Sequence, residues 1–143
     1  MKTVDILLVE DNPGDVRLTR EALNEGHLSN NLFVASDGVE AIEFLTKTGN
    51  FKNAVTPDLV LLDLNLPKVN GFEVLEKIKN DEHLKSIPVI ILTTSMSDHD
   101  IIASYSMHAN CYVPKPVEYD SFKKVVKCIE DFWFSIVKLP SAV

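Results

Sequence analysis

Short apolar runs alternate along this chain with stretches in which apolar residues recur every three or four positions. The runs are Val-Asp-Ile-Leu-Leu-Val at 4–9, Asn-Leu-Phe-Val-Ala at 31–35, Asp-Leu-Val-Leu-Leu at 58–62, Pro-Val-Ile-Ile-Leu at 88–92 and Asn-Cys-Tyr-Val at 110–113. Near-continuous apolar runs of this length suit strands covered on both faces, as in a parallel sheet. The second and fifth runs are weaker and are predicted nearer the sheet edges.

Helices are predicted between and after these runs. The stretch 15–25 places Val16, Thr19 and Leu23 on one face. The stretch 37–48, with Ser36 or Asp37 as N-cap, turns Ala41, Ile42 and Leu45 inward. The next two, 70–80 and 97–108, carry Val74, Leu75 and Ile78, then Ile101, Ile102 and Tyr105. The clearest stripe, at 118–137, comprises Phe122, Val125, Val126, Ile129, Phe132, Trp133, Ile136 and Val137. Serial βα units imply an α/β domain with a doubly wound five-stranded parallel sheet and right-handed crossovers. The expected layout is a single domain over 1–143, with its core at about 4–137 and a short tail at 138–143.

Composition narrows the function. The chain has 143 residues, of which 45% are hydrophobic, enough for one domain with a real core. Its 14 Lys and Arg against 21 Asp and Glu give a net charge of −7, which argues against nucleic acid and against an anionic membrane. No apolar run approaches the roughly 20 residues of a spanning helix. Asp5 interrupts the N-terminus where a signal peptide would be apolar. Cys111 and Cys128 form no disulfide framework and fit a reducing cytoplasm as partly buried, inert thiols. His108 is expected to be structural, and Lys123, Lys124 and Lys127 to form a solvated face.

In a doubly wound sheet, chemistry gathers beyond the carboxyl ends of the strands. Those ends carry Glu10-Asp11-Asn12, Asp63, Thr93-Thr94-Ser95 and Lys115-Pro116. Singly, such acids and hydroxyls cap helices or sit in water; together they bring three carboxylates, a hydroxyl and an ammonium to one rim. Carboxylates a few ångströms apart repel by roughly 1–4 kcal/mol per pair. A hard divalent cation removes that conflict. A carboxylate is also a nucleophile toward phosphorus, and phosphoryl transfer needs mainly positioning and charge neutralisation. The rim therefore suits cation-dependent phosphorylation of a carboxylate.

These residues in this order resemble the receiver domain of two-component response regulators. The matching segments are Ile6-Leu7-Leu8-Val9-Glu10-Asp11-Asn12, Asp58 through Pro67, Asn70-Gly71, Pro88 through Thr93, and Lys115-Pro116. The resemblance implies the flavodoxin-like receiver topology and assigns roles. Asp63 is the phosphoacceptor. Asp11 binds Mg²⁺ or Mn²⁺ directly, Glu10 acts largely through water, and Asn65 offers its backbone carbonyl. Thr93 supplies the switch hydroxyl, Lys115 pairs with the phosphoryl group, and Tyr112 is the switch aromatic. A cis Lys115–Pro116 bond is also implied. Thr94 is larger than the family's usual residue beside the switch threonine, and if it points inward it narrows donor access.

A closer likeness rests on Tyr105 through Tyr112, on Thr93-Thr94-Ser95 and on Ile129 through Val137. These segments look like the stand-alone regulators that partner phytochrome-type histidine kinases. The implied partner is a sensor histidine kinase, and the implied protein is a phosphoacceptor with slow self-hydrolysis rather than a dedicated enzyme. With no output module expected, signalling runs by contact or onward phosphotransfer. Phe132, Trp133 and Phe134 are consecutive, and no single helical face buries all three. Either one is incidental surface or the excess makes a homodimer interface on the last helix; the second reading is the expectation. The rival class is a small phosphatase of the haloacid-dehalogenase type, which needs a second acid where this chain has Asn65.

Overall fold

The computed structural model describes residues 3–26, 29–116, 118–136 and 138–140. In chain order the elements are β1 (Val4–Val9), α1 (Pro13–Glu25), β2 (Asn30–Ala35), α2 (Gly38–Thr46), β3 (Leu59–Leu62), α3 (Gly71–Lys79), β4 (Val89–Thr93), α4 (Asp98–Ser106), β5 (Cys111–Pro114) and α5 (Tyr119–Glu130). The strands form one parallel sheet in the order β2-β1-β3-β4-β5. The two weaker runs are therefore the edges, as predicted. Residues of β3 and β4 are all buried, whereas β2 and β5 are mostly half-buried.

Strand alternation divides the core in two. Leu7, Val9, Val60, Leu62, Val89 and Ile91 face α2 and α3, meeting Phe44, Leu45, Val74, Leu75 and Ile78. Ile6, Leu8, Leu59, Leu61, Ile90 and Leu92 face α1 and α5, meeting Leu23, Phe122, Val126 and Ile129. Each such side chain, fully buried, contributes about 1.5–3 kcal/mol.

Capping sets the helix starts. Side chains of Asn12, Asp37, Asn70 and Ser97 accept from the N–H groups of Asp15, Glu40, Glu73 and Asp100 at the four N-termini. Pro13 begins α1, so this helix starts two residues before the predicted boundary. At the end of α3, the half-buried Lys79 Nζ donates to the carbonyls of Lys85 (3.1 Å) and Ile87 (2.8 Å) and to Asn110 Oδ1 (3.2 Å). Burial pushes the Lys79 ammonium below its ordinary pKa.

Two helices depart from expectation. α4 ends at Ser106 rather than 108, because His108 adopts φ of 71° and Ala109 N–H closes back on Ser104 O. Its expected inward residues Ile102 and Tyr105 are 65% and 48% exposed, and Ile101 is half-buried. The buried residue of α4 is instead Ser104, whose hydroxyl has no hydrogen-bond partner. α5 stops at Glu130 and continues as a π-helical turn over Asp131–Ile136. That wider turn rotates successive residues by less than an α-helix does. Trp133 and Phe134 both pack against the core, leaving Phe132 48% exposed and edge-on to Trp133. The side chain of Ile136 and all of Val137 lie outside the described residues. Cys128 is exposed, not partly buried, because it falls on the outer face of α5; Cys111 is half-buried as expected.

Candidate functional site

Register assembles the rim. Val9 lies beside Leu62, Leu62 beside Ile91 and Thr93 beside Pro114, so the residues that follow these strands share one end of the sheet. Backbone bonds extend the ladder into the loops: Asp63 N–H donates to Val9 O and Lys115 N–H to Thr93 O. The site lies where strand order reverses around β1 and β3, the position at which such sheets bind ligands.

Carboxylate oxygens of Glu10, Asp11 and Asp63 lie within 4.8 Å of one another. Glu10 and Asp63 are buried and Asp11 is exposed, giving the group two fixed walls and one open side. Asn12 N–H donates to Glu10 Oε2 at 3.2 Å, and Asn65 N–H donates to Asp63 Oδ1 at 3.1 Å. An all-oxygen donor set of this size is chemically matched to a hard divalent cation.

Lys115 closes the group. Its buried ammonium donates to Glu10 Oε1 at 2.6 Å, to Asp15 Oδ2 at 2.8 Å and to Asp63 Oδ2 at 3.2 Å. Burial alone would lower the Lys115 pKa, but the bonds to Asp15 and Glu10 and the charges of Glu10 and Asp63 hold it above the ordinary lysine value. The Glu10 pKa is raised too, which for an acid disfavours the charged form. Burial, with the Asp63 charge adding to it, pushes Glu10 up to about 7 although its bond to Lys115 opposes the rise. One ammonium set against Glu10, Asp11, Asp15 and Asp63 leaves the rim net negative when these acids are ionised, which is a second reason for a cation to bind here.

Asp15 was not among the predicted site residues. Its signal is Pro13, favoured at the first helical position. With α1 starting there, Asp15 falls in the first turn, facing the rim.

Thr93 is fully buried at the end of β4, and its Oγ1 accepts from Ser95 N–H at 3.5 Å. Tyr112 is half-buried and donates through its phenol to Ser95 O at 2.9 Å. Ser95 Oγ donates to Asp100 Oδ2 at 2.6 Å. Ser95 therefore links the two predicted switch residues to the first turn of α4, a role that sequence reasoning missed. Thr94 is exposed. The described residues contain no cis peptide bond, so the implied cis Lys115–Pro116 bond is not found. Trans is the lower-energy form for such a bond, by about 0.5–1 kcal/mol.

Comparison with known proteins agrees with this arrangement. Residues 6–127 match the response regulator receiver domain model. Response regulator Rcp1 from Synechocystis is 47% identical over 137 residues, spanning 96% of this chain and 93% of Rcp1. The crystal structure of the Mn²⁺-bound form of Rcp1 superposes with a TM-score of 0.94 at 46% identity, covering 96% of this chain and 99% of that one. The phosphorylated cyanobacterial phytochrome response regulator RcpA gives a TM-score of 0.95 at 46% identity, covering 98% and 100%. The haloacid-dehalogenase alternative finds no support. The position two residues after Asp63 holds an exposed Asn65, not an acid.

Proposed function

The chain belongs to the response regulator receiver domain family, and from that premise we propose that Asp63 is its phosphoacceptor. The observation that carries this reading is the convergence of Glu10, Asp11 and Asp63 with the Lys115 ammonium at one rim. An oxygen of Asp63 attacks phosphorus of a kinase phosphohistidine. The O–P bond forms as the P–N bond breaks, and the electron pair stays on the imidazole nitrogen. Lys115 faces the charge that develops on the phosphoryl oxygens.

Glu10, Asp11 and Asp63, with the Asn65 carbonyl, hold Mg²⁺ or Mn²⁺, and the Mn²⁺-bound form of Rcp1 supports that choice. The cation supplies neutralisation of the carboxylates and the transferring group. Thr93 then bonds a phosphoryl oxygen, and Tyr112 follows by leaving Ser95. The same reading makes the protein a phosphoacceptor rather than a dedicated enzyme, acting as one receiver domain by contact or onward phosphotransfer.

The kinase is of the phytochrome type, a choice supported by the description of RcpA as a phytochrome response regulator. The net charge of −7 speaks for a protein partner over nucleic acid. Among the described residues no helix is long and apolar enough to cross a membrane. A cytoplasmic site of action goes with the phosphohistidine donor. The homodimer predicted on the last helix centres on Phe132, the aromatic of the triplet left exposed.

Incubation with Mg²⁺ and acetyl phosphate, followed by intact-mass measurement, tests the reading. One phosphoryl adduct that Asp63→Asn abolishes is expected. No adduct on the wild type, or an undiminished adduct on the variant, would refute it. Faster transfer from a phytochrome-type kinase than from unrelated kinases is the expected partner result.

A further inference from the structure

We propose that Asp15 is a positioning residue for the phosphoryl site, a docking post that holds the Lys115 ammonium in reserve. The inference rests on the receiver reading and extends it to a residue which that reading does not use. An ammonium has three protons to donate. In this structure they go to Glu10, Asp15 and Asp63, so the donor set is saturated. A phosphoryl oxygen on Asp63 gains Lys115 only if one of these bonds is released.

The three acceptors differ in freedom. Side chains of Glu10 and Asp63 are 4% and 8% exposed, whereas that of Asp15 is 26% exposed. Glu10 and Asp63 also accept backbone N–H bonds from Asn12 and Asn65. Asp15 is the acceptor that water can best replace, so it is the bond that gives way. It also stands outside the trio whose oxygens converge within 4.8 Å. Its charge acts on a cation chiefly through Lys115: while Asp15 shares the ammonium, Glu10 and Asp63 are freer to bind metal.

Two effects of opposite sign follow for Asp15→Asn. Divalent-cation affinity falls, because a nearby negative charge is lost and Lys115 concentrates on the remaining carboxylates. Affinity for a phosphoryl mimic at saturating cation rises, because Lys115 has one fewer anionic competitor and the anion meets one fewer negative charge. Each change is expected at about three- to tenfold, the order for one charge at a few ångströms in partly solvated surroundings. Damage to the fold would weaken both ligands together.

The test measures Mg²⁺ binding by calorimetry, then beryllium fluoride binding at saturating Mg²⁺. The proteins are wild type, Asp15→Asn, Asp15→Glu, Lys115→Ala and the Asp15→Asn/Lys115→Ala double variant. Opposite shifts in Asp15→Asn, partial restoration in Asp15→Glu, and a much smaller further shift on adding Asp15→Asn to Lys115→Ala are expected. Equal affinities in wild type and Asp15→Asn, shifts of the same sign, or a full Asp15 effect in the Lys115→Ala background would overturn the proposal. A wild type that binds neither ligand would instead sink the receiver reading on which it rests.

Discussion

Replacing Asp63 by Asn removes one of three converging carboxylates while keeping an oxygen to accept from Asn65 N–H. In the absence of a divalent cation, and at a pH well above 7 where Glu10 is ionised, Asp63 faces repulsion from Glu10 and Asp11, with oxygens within 4.8 Å, and attraction to Lys115 at 3.2 Å. At an effective dielectric of about 20–40, repulsion from each acid is roughly 1.7–3.5 kcal/mol and attraction to the lysine roughly 2.6–5 kcal/mol. The two repulsions together exceed the attraction by about 1–2 kcal/mol. Asp63→Asn should therefore be more stable than the wild type by about that amount when a chelator is present, raising the melting temperature by about 3–8 °C. Cation binding stabilises the folded state in proportion to the logarithm of cation concentration over its dissociation constant. The wild type should gain stability as Mg²⁺ is titrated in, and the variant should gain much less, so the gap narrows or inverts. Urea unfolding monitored through Trp133, with chelator and with millimolar Mg²⁺, reads both quantities. A variant less stable than wild type in chelator, or one with an undiminished Mg²⁺ response, would refute the electrostatic account of the site.

Three other outcomes are expected. Gly71→Ala places a Cβ 2.4 Å from Asp63 O and 2.5 Å from Leu64 Cα; it should lose about 1–3 kcal/mol in denaturant unfolding and give a smaller phosphoryl adduct. Normal stability with full labelling would show that this contact does not fix the Asp63 loop. Phe132→Glu should sediment as a monomer under conditions where the wild type is a dimer, and a dimeric variant or a monomeric wild type would remove the interface from the last helix. Lys79→Met should lose about 1–2 kcal/mol at neutral pH, because the carbonyls of Lys85 and Ile87 lose their donor. Because burial holds Lys79 below its ordinary 10.5, the unfolded chain binds more protons between the folded value and 10.5. Its contribution to stability therefore rises with pH across that window. Unfolding curves over alkaline pH should show this rise in wild type and its loss in Lys79→Met; equal slopes would count against it.

Central strands were legible in the sequence because burial on both faces leaves an uninterrupted apolar run, and β3 and β4 are buried throughout. The rim was legible because its acids, hydroxyl and lysine directly follow those runs. Periodicity alone does not reveal which face of a helix the sheet receives. In α4 the apolar spacing of Ile102 and Tyr105 pointed inward, yet the packed face carries Ser104. Asp15 and Ser95 were missed for another reason. Both act through hydrogen bonds across elements distant in sequence, to Lys115 and to Tyr112; Pro13 marks where α1 starts and so places Asp15 in its first turn, but no local pattern names either partner. The aromatic triplet Phe132-Trp133-Phe134 was recognised as too much for one α-helical face. That a π turn would seat two of the three was not legible.

Ser104 makes α4 the weakest-anchored of the five α-helices. A hydroxyl sealed from water without a partner forfeits about 1–3 kcal/mol, and α4 has no buried hydrocarbon side chain of its own with which to recover it. Regions that bury little open locally at free energies far below that of global unfolding. Amide protons of α4 should thus exchange with solvent by brief detachment of the helix, while those of β3 and β4 wait for the whole domain to unfold. The segment joined to Ser95 through Asp100 is then the one that can be reshaped at least expense to the rest.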